Sequence, residues 1–311
     1  MSFSNRLTRI SIIPMMYKLK HLLLTPSKEV VSMCSLEGAY EYLLRYSYAC
    51  QKRDTMPALQ PCGKSKYIWV CWFQGLETAP LLVQRCVESI RKYANGMEVV
   101  VLTDKNISEY VDIPSYIYDK LKRGCMGRTH FSDILRLHLL SQYGGVWIDS
   151  TILMTGVLPE YILDSPLFMY HSVMFNGPVC CANGFMASCP HHPIIDDTLA
   201  MWKAYWQKED RLISYSVTHV FLSIAIRNNP INTQLWESVP LYYYVDCEKL
   251  RIKLNTPFDA EEWKEIRRFS DIHKLTYKFD EYHIDPTLKG TFYDVLINQG
   301  DATQGSHIET W

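Results

Sequence analysis

The alternation of apolar and polar positions sets out the chain before any single residue suggests chemistry. Leu36, Tyr40, Leu43, Leu44 and Ser47 recur at helical spacing and predict a helix over 36–53, which Pro57, Pro61 and Gly63 bring to an end. Lys66–Phe73 is a run of β-formers closed by Gln74-Gly75, the first strand and its turn. Pro80–Tyr93 carries Leu82, Cys86, Val87 and Ile90 on one stripe and predicts a helix that Asn95-Gly96 stops. Glu98–Thr103 is the second strand. A strand–helix–strand unit of this length implies parallel pairing through a right-handed crossover. A short helix over Pro114–Lys122 leads through Gly124 and Gly127 into residues 128–155, around which the chain is organised.

In that stretch Ile134, Leu135, Leu137, Leu139 and Leu140 bury most of a helix's circumference, with Ser132 near its N-terminus. Gly144-Gly145 permits a positive-φ stop, and Val146-Trp147-Ile148 has the content of a core strand. Asp149 stands where that strand runs out, a position that faces the ligand crevice in an open α/β sheet. Asp133 and Arg136 lie three apart and share a helix face. Two readings follow: a buried ion pair with a turn-capping Asp149, or two acids and a guanidinium converging on a polyanionic, hydroxyl-rich ligand such as a sugar nucleotide.

Further on, Leu167–Tyr170 reads as a strand, and Cys181–Ser188 as another that Asn183-Gly184 breaks. A helix is expected at 194–206, with His191 and His192 as loop and cap residues. His219 opens an apolar helix through Ile226 and reads as a partnered core histidine. The domain organisation expected is a helical appendage over 1–63, a catalytic core over 64–240 and a C-terminal extension over 241–311 that completes the donor site. The tail after Gly290 reads as polar, either covering the donor or fraying.

Composition narrows the class. At 311 residues and 48% hydrophobic, the chain can bury a full α/β core, and a net charge of −1 gives no general field for nucleic acid. Ten cysteines without a Cys-x-x-Cys pair argue against a structural zinc site; with no signal peptide, they fit reduced thiols in the cytoplasm. No apolar run reaches the roughly 18 residues that span a bilayer. Residues 1–30 set Arg6, Arg9, Lys18, Lys20 and Lys28 against Glu29 alone. That segment is either peripheral on the inner face of a membrane or a helix packed on its own domain.

Ser-Asp-Ile-Leu-Arg at 132–136 and Tyr-Gly-Gly-Val-Trp-Ile-Asp-Ser-Thr at 143–151 closely resemble the central motif of capsular polysaccharide synthesis proteins, a branch of the family 32 glycosyltransferases. The stretch is also similar to that of clostridial glucosylating toxins and yeast mannosyltransferases. The resemblance implies a GT-A fold, an α/β/α sandwich that binds nucleotides. It implies donor contacts from Asp133 and Arg136, and a divalent cation, Mn or Mg, at an Asp-X-Asp formed by Asp149 and position 151. Here Thr151 replaces the second acid, and a hydroxyl is a poorer ligand than a carboxylate. The resemblance also sets Trp72 over the base and Asn183 before the donor sugar. Asp104, past the second strand, either meets the uridine or caps a turn. Residues 270–278 resemble a late family segment in which His273, Lys274 and Lys278 are placed to neutralise the leaving diphosphate.

The implied reaction is retaining transfer of a hexose from a UDP-sugar to a hydroxyl of a bacterial capsular or surface glycan, or of a lipid-linked oligosaccharide. Sugar-phosphate transfer, and a catalytically silent donor-binding subunit suggested by Thr151, are the rival readings.

Overall fold

The computed structural model describes residues 28–173 and 177–300. The basic segment at the N-terminus lies outside the described residues up to position 27, as does the end of the chain from 301. Among helices of eight residues or more, α1 spans Lys28–Leu43, α2 Leu81–Lys92, α3 Ser115–Lys122, α4 Arg128–Tyr143, α5 Pro193–Lys208, α6 Val217–Arg227, α7 Pro230–Glu237 and α8 Ala260–Phe269. The strands are β1 (Tyr67–Cys71), β2 (Glu98–Leu102), β3 (Gly145–Ile148), β4 (Ile152–Met154), β5 (Leu167–His171), β6 (Cys181–Ser188) and β7 (Ile272–Lys274).

Five strands form one sheet in the order β2-β1-β3-β6-β5. β2, β1 and β3 run parallel, as the strand–helix–strand pattern requires, and β6 and β5 complete the sheet antiparallel. The fold is therefore the α/β class that the sequence predicts. Parallel strands end at a common edge, so the residues after β1 and β3, Trp72 and Asp149, emerge side by side. Helix α4 lies across β1, β3 and β6, α5 packs on α4, and α6 on α5. The turn that returns α4 into β3 needs glycine: Gly145 has φ +93°, and a Cβ there would meet the Tyr67 carbonyl oxygen at 2.4 Å. Trp69 is wholly buried beside this turn and donates from Nε1 to the Gly144 carbonyl at 2.9 Å.

β4 and β7 form a separate antiparallel ribbon with Ile152 opposite Lys274. The ribbon ties residues 271–275 to the turn after Asp149. Beneath it lies a second, smaller core in which Leu82 and Cys86 of α2 meet Leu153, Trp263, Leu275 and Phe292. Tyr42, Leu43 and Tyr46, in and just after α1, belong instead to the large core of the sheet.

Three expectations change. The first helix begins by Lys28, ahead of the predicted start at 36, and tightens into a 3₁₀ segment over Leu44–Ala49. The strand at Cys181–Ser188 runs on through Asn183-Gly184 instead of turning there: Met186–Ser188 pair with both β3 and β5, and the Asn-Gly step falls in the irregularity of the β5 ladder between Met169 and His171, where the Gly184 carbonyl still accepts from the Asp149 amide. The segment after Gly290 is not a polar tail as far as it is described: Phe292, Tyr293, Leu296 and Ile297 are buried in the second core.

Candidate active site

A cleft of about 360 Å³ opens at the C-terminal edge of β1 and β3, walled on its far side by residues 274–282. Its cations are Arg128, Arg136, Arg251, Lys274 and Lys278, against the two acids Asp149 and Glu248. Asp149 is the centre of this arrangement. Its amide continues the β3–β6 ladder by donating to the Gly184 carbonyl at 2.9 Å, which fixes where the side chain leaves the sheet. One carboxylate oxygen accepts from Trp147 Nε1 at 2.9 Å and lies 3.3 Å from Arg136 Nη2. The other is 2.5 Å from Lys274 Nζ. Burial alone pushes the Asp149 carboxyl up, yet Lys274 and Arg136 beside it bring it below its ordinary value, so it is ionised at neutral pH.

Arg136 is held from every side. Nη2 pairs with Asp133 Oδ1 at 3.0 Å, Nη1 donates to the Asn183 carbonyl, and the guanidinium lies 4.7 Å from the centre of the Trp147 ring. Asp133 is itself saturated: Asn183 Nδ2 donates to it at 3.1 Å and Thr218 Oγ1 at 2.7 Å. The first of the two expected readings holds for the Asp133–Arg136 pair, and the second holds for one acid rather than two. Asp133 and Arg136 are a buried ion pair, and Arg136 and Asp149 also face the cleft.

Of the residues singled out in the sequence, the structure brings Trp72, Arg136, Asp149, Thr151, Lys274 and Lys278 to the cleft. Trp72 packs edge-on against Tyr277, with ring centres 5.4 Å apart, and its buried Nε1 has no hydrogen-bond partner. Asp133 and Asn183 stand behind Arg136 rather than in the cleft. Asp104 is not in the lining either; it holds Arg128, which is, through a 2.6 Å ion pair. His273 needs correction. Successive strand residues face opposite sides, so the register that presents Lys274 turns His273 inward. There it is wholly buried against Thr155 Oγ1 at 3.1 Å, and burial pushes the imidazole down to about 3, so it is neutral.

His219 also departs from expectation: its Nδ1 is buried without a partner, in the wall of a second cavity. Asp196, Asp197 and Asp285 lie outside the cleft lining and are committed to Ser141, to Arg53 with Asn232, and to Thr287. His192 caps α5 as predicted, accepting from the Ile194 amide at 3.3 Å. Sequence reasoning missed Arg128, Tyr215, Glu248, Arg251 and Tyr277. Arg128 and Tyr277 lie inside motifs already marked; nothing local singles out the other three.

The donor set around Asp149 does not fit a divalent cation as it stands. Both carboxylate oxygens are engaged by cationic or N–H donors, position 151 offers a hydroxyl, and among the described residues there is no cluster of three or more metal-ligating side chains.

Fold and site together define an α/β protein with a cationic cleft at the ends of parallel strands. The family model described as capsular polysaccharide synthesis protein matches residues 37–296, and the chain belongs to that family. It is 27% identical over 163 residues to the O-glycosyltransferase braB of Annulohypoxylon truncatum, covering 47% of this chain and 39% of that protein. It is 29% identical over 141 residues to the glycosyltransferase afumC of Aspergillus fumigatus, covering 40% and 36%. The chain thus spans less than two fifths of the length of these relatives. A solved structure, the PaToxG glycosyltransferase, aligns at 16% identity with a TM-score of 0.43, over 65% of this chain and 83% of that one. Among the described residues no helix is long and apolar enough to cross a membrane.

Proposed function

We propose that the protein transfers a hexose from a nucleoside diphosphate sugar, foremost a UDP-sugar, to an acceptor hydroxyl with retention of anomeric configuration. The observation that carries this reading is the convergence of Arg136, Lys274 and Asp149 at one point of a cleft that also holds Arg128, Arg251 and Lys278. Membership of the capsular polysaccharide synthesis family supports it, as do relatives named glycosyltransferases. The family description favours a surface glycan or its lipid-linked precursor as the bearer of the acceptor hydroxyl.

Trp72 and Tyr277 supply the aromatic face for the base, and the cations take the diphosphate. In the step itself, the bond between the anomeric carbon and the β-phosphate oxygen breaks as the acceptor oxygen bonds to that carbon. Negative charge grows on the departing diphosphate, where fixed cations in a site shielded from water are most effective. Asp149 orients Lys274 and Arg136 rather than acting as a base, since each of its oxygens is already engaged. Glu248, the other lining acid, is bound by Arg251 at 2.8 Å. With both carboxylates tied to cations, the hydroxyl proton passes to the departing diphosphate, which favours retention.

The test is incubation of the purified protein with a panel of UDP-hexoses and UDP-N-acetylhexosamines, assayed for released UDP and for the anomer formed. UDP release with one donor, abolished in Asp149→Asn, is expected. Release of UMP, or no turnover and no binding of any nucleoside diphosphate sugar, would overturn the proposal.

A further inference from the structure

A second cavity, of about 540 Å³, adjoins the donor cleft and differs from it in chemistry. The two share Asp149, Tyr215, Tyr244, Glu248 and Lys274, so they meet at the Asp149–Lys274 pair. Away from that junction the second cavity is walled by Val173, Val179, Cys181, Ala182 and Val245, with Ser172, Asn183 and His219 as its polar side chains. Val173 is 62% exposed, Val245 50% and Tyr215 68%, so three large apolar or aromatic side chains stand open around one hollow. Scattered exposed hydrophobics are ordinary, but a cluster of them lining a cavity of ligand size is not.

Part of the polar lining is already engaged. The Asn183 amide donates to Asp133, and Glu248 is bound by Arg251. The buried nitrogen that lacks a hydrogen-bond partner is His219 Nδ1. Burial depresses the proton affinity of that imidazole, so it lines the cavity without charge. Gly184 keeps the junction open: a Cβ there would lie 2.9 Å from Asp149 Oδ2 and 3.4 Å from Lys274 Nζ. An oligosaccharide needs many directed polar partners for its hydroxyls, and away from the junction this cavity offers few.

We infer that the second cavity is the acceptor site and takes a molecule whose reacting hydroxyl is joined to an aliphatic or aromatic body, that body resting on Val173, Val179 and Val245. The inference rests on the transfer reading above for the word acceptor; the binding of an apolar-bodied molecule stands apart from it. Apolar burial carries the affinity, and the reacting hydroxyl meets the donor at the Asp149–Lys274 junction that the two cavities share.

The experiment compares octyl glucoside, below its micelle concentration, and 4-nitrophenyl glucoside with free glucose and maltotriose. Ligand-detected NMR measures binding to the full chain, and UDP release measures acceptor use. Both apolar glucosides are expected to bind at least tenfold more tightly than either free sugar, and to give the higher kcat/KM. Val245→Asp, at an exposed position that the fold does not need, should remove at least tenfold of that binding. Ala182→Trp, which fills the hollow, should do the same with a native melting curve. Equal binding of glucosides and free sugars, or glucoside binding unchanged in Val245→Asp, would overturn the acceptor inference while leaving donor turnover as evidence for transfer. Tight glucoside binding without turnover of any UDP-sugar would keep the cavity and overturn the transferase reading instead.

Discussion

Lys274 Nζ lies 2.5 Å from Asp149 Oδ2, across 125 residues of sequence, and this contact joins the C-terminal part of the chain to the ligand edge of the sheet. It exists because β7 pairs with β4 immediately after the Asp149 turn, with Lys274 set opposite Ile152. Leu275 N adds a bond to the Thr151 carbonyl at 2.8 Å, fixing the register. A positive charge from a distant segment therefore stands against the carboxylate to which the family resemblance assigns a cation.

Replacing Lys274 with Met should lower turnover by about 10²–10³-fold, the usual scale for losing one preorganised charge at a developing anion. Asp149 then loses one of its two cations, so its pKa should rise. UDP release at saturating donor, with the melting temperature as a control, measures the effect. Turnover within threefold of wild type would remove Lys274 from the site.

Nucleotide binding should survive chelation. On the proposed function the cleft's own cations take the diphosphate and both oxygens of Asp149 are engaged by donors, so the UDP dissociation constant in excess EDTA should stay within about threefold of that in Mg or Mn. Calorimetric titration with and without metal decides this. A hundredfold loss on chelation would mean that Lys274 yields its place to an ion.

Trp72→Ala and Trp69→Ala should separate cleanly. Loss of the Trp72 face should weaken UDP binding by about 1–3 kcal/mol, roughly 5- to 150-fold, with little change in melting temperature. Trp69 is wholly buried and bonded to the Gly144 carbonyl, so its removal should cost about 3–5 kcal/mol of stability. Chemical denaturation and UDP titration of both variants provide the comparison.

Asp133→Ala should act through Arg136. Removing one partner of a buried ion pair leaves an uncompensated charge and costs about 3–5 kcal/mol, and Arg136 should then lose its alignment with Asp149. Unfolding midpoint and UDP release should fall together. A rise in acceptor KM with stability unchanged would contradict this placement.

Stability should decline as pH falls from about 6.5. Burial pushes His192 and His273 down to about 3, so both stay neutral in the fold while the unfolded chain takes up protons on them below its ordinary value of about 6.5. Unfolding then binds protons throughout that interval, and each histidine contributes a slope of up to about 1.4 kcal/mol per pH unit. Melting temperatures between pH 7.5 and 4.5 test it, and His273→Gln should flatten the curve. A melting temperature that rises on acidification would contradict the buried neutral state.

The sequence by itself determined what depends on neighbours in the chain. The parallel β1–α2–β2 unit, the α4 helix, its glycine return and the exit of Asp149 follow from periodicity and from φ values that glycine alone adopts readily. Arg136 and Asp149 were legible because helix spacing and a strand end fix where such side chains emerge, while Trp72 was legible only through the family resemblance. Tertiary structure decided what depends on pairing between distant segments. The β4–β7 register chose Lys274 for the cleft and buried His273, a choice that a one-residue slip would reverse. Pairing of β6 on either side of Asn183-Gly184 carried the strand through that step as an irregularity rather than a turn, and the packing around Arg136 placed Asp133 and Asn183 behind it. Arg251, Glu248 and Tyr215 have no local signature, because their place in the cleft comes from how the second core docks on the sheet and from the segment that leads into α6.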